Sequence, residues 1–252
     1  MIVATALEAT LWGLLSGGAL VLGALIGWVA RVPVTVTALV MAFGAGVLTS
    51  ALAFELVDEA VELGGLVPTA IGFSIGAIAY TVANVALNRF GARHRKRSGT
   101  QQMSESEQPG SGTALAVGAL LDGVPESVVL GASLLTGSIS PALVVAIFLS
   151  NLPEGLSSAA GMKRAGRSAT YVFGLWVAIA VASGVSALVG FLAFDPMSAG
   201  TVSLVTALAA GAILAMIVDT MIPEAVEVTH LVTGLVTSAG FLVSLAVSHA
   251  GG

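Results

Sequence analysis

The chain has no cysteine, little charge and few aromatic rings, and each shortage removes a class of protein. Without cysteine there are no disulfides and no thiolate ligands, so any metal chemistry must run through oxygen or imidazole. Only 9% of the 252 residues are charged, and no nucleic-acid partner is expected. Phe, Trp and Tyr make up 6%, which leaves little surface to grip an organic ring. No Lys, Arg or His falls in the expected mid-membrane regions, whereas an intramembrane enzyme acting on phosphate esters would want a cation beside its acids. The start, Met1 to Glu8, lacks the basic segment of a secretory signal and reads as part of an uncleaved first span.

What is present is apolar and small. Hydrophobic residues reach 56%, glycines number 31, and mean hydropathy is +1.01. Apolar runs of about 20 residues, the length that crosses a bilayer, fall near 5–30, 35–58, 65–88, 113–135, 140–162, 169–194, 200–222 and 229–250. The expected fold is therefore an all-α integral membrane protein of eight transmembrane helices, one polytopic domain over 1–252 embedded in lipid. Glycine and alanine suit close helix packing there. The one long connection, 89–112, carries Arg93, Arg95, Lys96 and Arg97 and then a polar Gln, Ser, Glu and Pro tract, and reads as a flexible, solvated loop. All nine basic residues lie in alternate connections, which the positive-inside bias assigns to the cytoplasm. Both termini are then outside, in a plasma or inner membrane. The opposite connections carry Asp58, Glu59, Glu62 and Asp195, an acidic mouth that would concentrate cations.

Two further patterns are buried in the apolar runs. Gly44 to Glu62 aligns with Ala209 to Glu227, six of nineteen positions being identical and both segments ending in Glu-Ala-Val-Glu. The second and seventh spans run in opposite directions, so an inverted repeat of spans 1–3 and 6–8 around spans 4–5 is expected, a 3+2+3 plan with its site at the midplane. Spans four and five hold the second pattern, Asp122-Gly123-Val124-Pro125-Glu126 and Ser150-Asn151-Leu152-Pro153-Glu154. An acid at bilayer depth costs about 2.5–3.5 kcal/mol and marks an ion or proton pathway. Each proline also frees a carbonyl four residues earlier, at Leu121 and Leu149. Asp122 with Glu126, and Ser150 with Glu154, share helix faces at a spacing of four. If those faces oppose, Asp122, Glu126, Ser150, Asn151 and Glu154 form an oxygen-rich set for a divalent cation, manganese, magnesium or ferrous iron by hardness, zinc through carboxylates.

These residues resemble the ZIP (Zrt/Irt-like) metal transporters. The family's fourth-span His-Asn-x-Pro-Glu-Gly is matched by Asp122 to Ser127, and its fifth-span Pro-(His/Glu)-(Glu/Gly) by Pro153-Glu154-Gly155. The resemblance extends over the whole chain and implies a path for metal lined by spans four and five, an entrance at Glu55 and Asp58, and an exit at Asp219 and Glu224. It also shows departures. Asp122 stands where the family has histidine, Gly123 where it has asparagine, and span six has no acid, with Ser183 near the position of a glutamate that many members carry. Such losses imply one metal ion per site instead of two.

The resulting expectation is a transporter, not an enzyme, that moves zinc or a similar ion (iron, manganese) into the cytoplasm without a cofactor, as a homodimer. The alternatives are a proton-coupled carrier of a small organic substrate and a non-transporting metal sensor. The topology is directly testable: a lone cysteine at Ser106 should react with a membrane-impermeant thiol reagent only after the cytoplasmic face is opened. Labelling in intact cells would reverse the orientation.

Overall fold

The computed structural model describes residues 2–96, 102, 104, 106–136, 141–194 and 198–251. Arg97 and Asp195, named above, lie outside the described residues, as do Gln101 and Glu105 of the polar tract. Among those described there is no strand, only helices and their connections. Eight helices are long and apolar enough to cross a membrane: Thr5–Val29, Val34–Gly64, Leu66–Asn88, Ser111–Leu135, Leu143–Arg164, Ala169–Phe194, Ala199–Thr229 and Val232–Ala250. The chain is thus a multi-pass membrane protein. Helices are the form such runs must take, because lipid offers no partner for an open N–H or C=O.

Spans two and seven run farther than their apolar stretches, to Gly64 and Thr229 instead of 58 and 222. Hydropathy ends where the acids begin, but Asp58, Glu59, Glu62, Glu224 and Glu227 do not break a helix, and the backbone ladder continues through them. Each of these helices contains a π-helical segment, Leu52–Val57 in one and Ile217–Met221 in the other. The two segments begin 165 residues apart, the same offset that separates the aligned Gly44 and Ala209. The ends of spans two and seven are also offset by 165 residues, from Val34–Gly64 to Ala199–Thr229.

Packing follows a reciprocal pattern. Span three lies along span seven and span eight along span two; span one packs on spans five and six, and span six in turn on span four. Spans two and five are the most enclosed, three and eight the least, with Ile78, Val82, Leu235 and Leu242 turned outward. Small residues set the approach. A Cβ on Gly46 would run into the Thr237 carbonyl of span eight, and one on Gly211 into the Phe73 carbonyl of span three. Between them lies an apolar core that includes Met41, Leu48, Leu52, Leu130, Ile147, Ile213 and Met216. The methionines Met41, Met162, Met216 and Met221 are all packed inside.

The connection from span three to span four departs from a solvated loop. After Gly91, in the left-handed region at φ 95°, a single 3-10 turn over Ala92–His94 folds the chain back toward the bundle. Arg95, Lys96 and Gln102 are buried. Composition counts these residues as polar and cannot count the acids that receive them. Farther along, Ser106 and Glu107 are exposed, and Glu107 caps a local turn, accepting from the backbone N–H and hydroxyl of Ser104 at 2.8 Å. Those bonds hold its carboxyl below the usual glutamate range.

At the same end, Lys163 and Arg167 brace the span termini. Lys163 Nζ donates to the Trp28 carbonyl at 2.5 Å and sits 5.1 Å from the Trp28 ring, while Arg167 Nη2 donates to the Ser111 hydroxyl at 2.6 Å.

Replacing Gly46 or Gly211 with valine should force the paired helices apart and cost at least about 1–3 kcal/mol, as overpacking does. Gly18→Val, at a site with no atom near the added carbon, should cost far less. Thermal midpoints of the three variants in detergent check this, and equal midpoints would refute it.

Candidate functional site

Asp122 lies eleven residues into span four from Ser111, and Glu154 ten residues back from Arg164 in span five. At about 1.5 Å per residue both stand roughly 15 Å from the end of the bundle where the arm, residues 92–96 with Gln102, folds in, near the middle of a hydrocarbon layer of about 30 Å. Pro125 and Pro153 sit inside these helices, three residues after Asp122 and Ser150. Asp122, Glu126, Ser150, Asn151 and Glu154 are all buried.

The arm places two cations among these acids. Arg95 forms a fork on Asp122, Nε to Oδ2 at 3.0 Å and Nη2 to Oδ1 at 2.9 Å. Its remaining N–H groups go to Asn84 Oδ1 (2.9 Å), the Ala92 carbonyl (3.4 Å) and Tyr80 Oη (2.9 Å), and Tyr80 in turn donates to Asp122 Oδ1 at 2.6 Å. All five guanidinium hydrogens are thereby engaged. Lys96 Nζ stands between the two spans, 2.8 Å from Glu154 Oε2 and 3.3 Å from Asp122 Oδ2. Burial works against that ammonium, but Asp122 and Glu154 outweigh it and hold its pKa above the usual lysine value.

Backbone contacts fix the arm on span five. The Ser157 hydroxyl donates to the Lys96 carbonyl, and Gln102 Nε2 donates to the carbonyls of Arg95 (3.1 Å) and Ser158 (3.2 Å).

Glu126 differs from its neighbours. It is one turn along from Asp122 and close enough to Glu154 for their charges to interact, yet its buried Oε2 has no hydrogen-bond partner. A small apolar cavity of about 10 Å³, lined by Leu48, Leu52, Val129, Leu143 and Ile213, opens beside it. Two cations thus face three carboxyl groups, and Glu126 is the one with a buried oxygen that no described residue hydrogen-bonds.

The expected oxygen set is only partly assembled. Asp122 and Glu154 meet at Lys96. Asn151 turns away, its Nδ2 donating to the carbonyl and hydroxyl of Ser16 in span one at 3.0 and 3.2 Å. Ser150 Oγ donates within its helix to Ile147 O at 2.9 Å. Among the described residues no three His, Cys, Asp or Glu side chains form a ready-made metal cluster. Gly123 faces span six: a Cβ there would lie 3.9 Å from Ser183 Oγ and touch nothing closer.

At the two ends, Glu55 is half-buried and accepts from Ser248 at 2.5 Å, and Asp58 is exposed. Asp219 is exposed and Glu224 half-buried; both line a cavity of about 40 Å³ with Arg93, Arg95, Lys96, Thr220 and Pro223. The acids suggested as an exit therefore lie directly against the arm.

Tyr80, Asn84, Arg95 and Lys96 were not legible as site residues. The available signal was Tyr80 and Asn84, a phenol and an amide four apart in a mostly apolar span. Nothing local ties them to an arginine eleven or more residues on. Compared with protein-family models and with curated proteins, the chain matches none.

Because Asp122 is the shared partner of Arg95, Lys96 and Tyr80, Asp122→Asn should leave the guanidinium undercompensated and cost about 3–5 kcal/mol, as breaking a buried pair does. The double change Asp122→Leu with Arg95→Met should recover a large part of that loss. Thermal unfolding of the purified variants in detergent measures both; a double variant no more stable than Asp122→Asn would show that the pair is not the cause.

Proposed function

We propose that this chain is a divalent metal ion transporter of the ZIP kind, passing zinc or a similar ion (iron, manganese) toward the cytoplasm between spans four and five. The observation that carries the reading is Glu126, a buried acid at mid-bundle with one carboxyl oxygen that no described residue satisfies, set beside Glu154. A buried acid without a partner is costly, and a passing cation is the partner that would relieve it. Glu126 and Glu154 would be the ligands that hold the ion, each following a proline that loosens its helix. Asp122, the substitute for the family's histidine, is already saturated by Arg95 and Tyr80 and would act as the anchor of the arm.

The buried cations do not revive an enzyme acting on phosphate. Arg95 has no N–H to spare, and Lys96 is held between two carboxylates. The 165-residue offset of spans two and seven supports a carrier built from inverted halves, whose two orientations expose the site in turn.

Glu126→Gln and Glu154→Gln should each abolish metal-dependent uptake into proteoliposomes while helix content and elution volume stay unchanged. Unimpaired zinc, iron and manganese uptake by a folded Glu126→Gln protein would remove the site, and uptake of none of these by the unaltered protein would remove the function.

A further inference from the structure

The geometry points to Lys96 as a tethered competitor for the transported ion: its ammonium occupies Glu154, one of the two glutamates that would hold the ion, and an arriving ion must displace it from there. This rests on the transport reading above and adds the residue that sets the site's affinity.

The two arm cations are held in different ways. Arg95 is fixed, with five bonds to Asp122, Asn84, Tyr80 and its own turn. Among the described residues the Lys96 ammonium pairs with two acids, one on each of the two spans that would hold the metal. A lysine is a compact point charge on a four-carbon stem and can leave where a guanidinium fork cannot. It is also what a bound ion resembles, a cation bridging oxygens from both helices.

The surroundings fit a movable side chain on a fixed backbone. The Lys96 carbonyl accepts from Ser157, and Gln102 secures the neighbouring Arg95 carbonyl, so the main chain stays docked while the ammonium moves. Next to it is the cavity of about 40 Å³ lined by Asp219 and Glu224 together with Arg93 and Arg95, where the displaced ammonium would find two other carboxyl groups. The charged groups facing Lys96 are Asp122, Glu154 and Arg95, with Glu126 just beyond. A divalent ion on Glu126 and Glu154 would compete with the ammonium for the Glu154 oxygens, and its double charge gives it the advantage.

The site then selects by charge. A monovalent ion offers Glu154 nothing that the tethered ammonium does not already supply at effectively high local concentration, whereas a divalent ion pairs with both glutamates. Lys96 would hold the empty site closed against sodium or potassium and lower its affinity for the metal enough to permit release.

The test uses the full-length protein in detergent and zinc alone. Lys96→Met and Lys96→Gln should bind zinc at least tenfold more tightly than the unaltered chain in a calorimetric titration. Equal or weaker binding by folded variants would overturn the proposal. The chain has only two lysines, Lys96 and the exposed Lys163, so acylation read by mass spectrometry gives a second measurement with an internal reference. Lys96 should be protected relative to Lys163 without metal and become several-fold more reactive at saturating zinc. Tight zinc binding with Lys96 still protected would leave the transport reading standing and sink this inference. If neither the unaltered protein nor any variant binds zinc, both fall.

Discussion

The structure is organised around one electrostatic contact, the pairing of Arg95 and Lys96 with Asp122 and Glu154 at mid-bundle. Carboxylates at that depth are expensive in lipid, and so are the cations. Placed together they offset each other's desolvation, and the geometry is good enough for this to work: a bidentate fork with every guanidinium hydrogen used, and an ammonium shared by two helices. The arm folds inward because these acids are there. The prolines that loosen spans four and five can be tolerated because the arm binds across them from one end.

Small residues make that arrangement reachable. Span one packs on span five and span six on span four through close backbone approaches, with a Cβ at Gly155 running into the Leu20 carbonyl and one at Gly190 into that of Val128. The central pair is therefore wedged by rigid neighbours on both sides. Apolar packing between helices is weak as a driving force in lipid, so proximity of backbones and satisfaction of the few polar groups carry a larger share of specificity than in water. Asn151 illustrates this. Its amide, which composition would assign to a metal path, joins span five to Ser16 of span one.

How much could be read without coordinates varied with the range of the interaction. Hydropathy found all eight helices, because a bilayer imposes length and apolarity on each span independently. It missed the last turns of spans two and seven, where Asp58 to Glu62 and Glu224 to Glu227 change polarity but not backbone conformation. The depth of Asp122, Glu126 and Glu154 was legible for the same reason. Their partners were not, since Arg95 and Lys96 sit in a tract whose polarity matches solvent as well as it matches buried acids. Only three-dimensional closure distinguishes the two. The contact between Gly123 and the Ser183 hydroxyl, which joins spans four and six, was likewise beyond the reach of local pattern.

The π-helical segments of spans two and seven have a geometric consequence of their own. A π turn takes in one residue beyond the α-helical count, and one extra residue swings everything after it by about 100° around the axis, since an α-helix has 3.6 residues per turn. Each of these long helices is therefore two shorter rods on one axle. The leading rod presents Gly46 or Gly211 to its neighbour for tight packing, while the trailing rod, rotated past the bulge, is free to carry Asp58 and Glu62, or Glu224 and Glu227, on faces that an unbroken helix would have assigned to other neighbours.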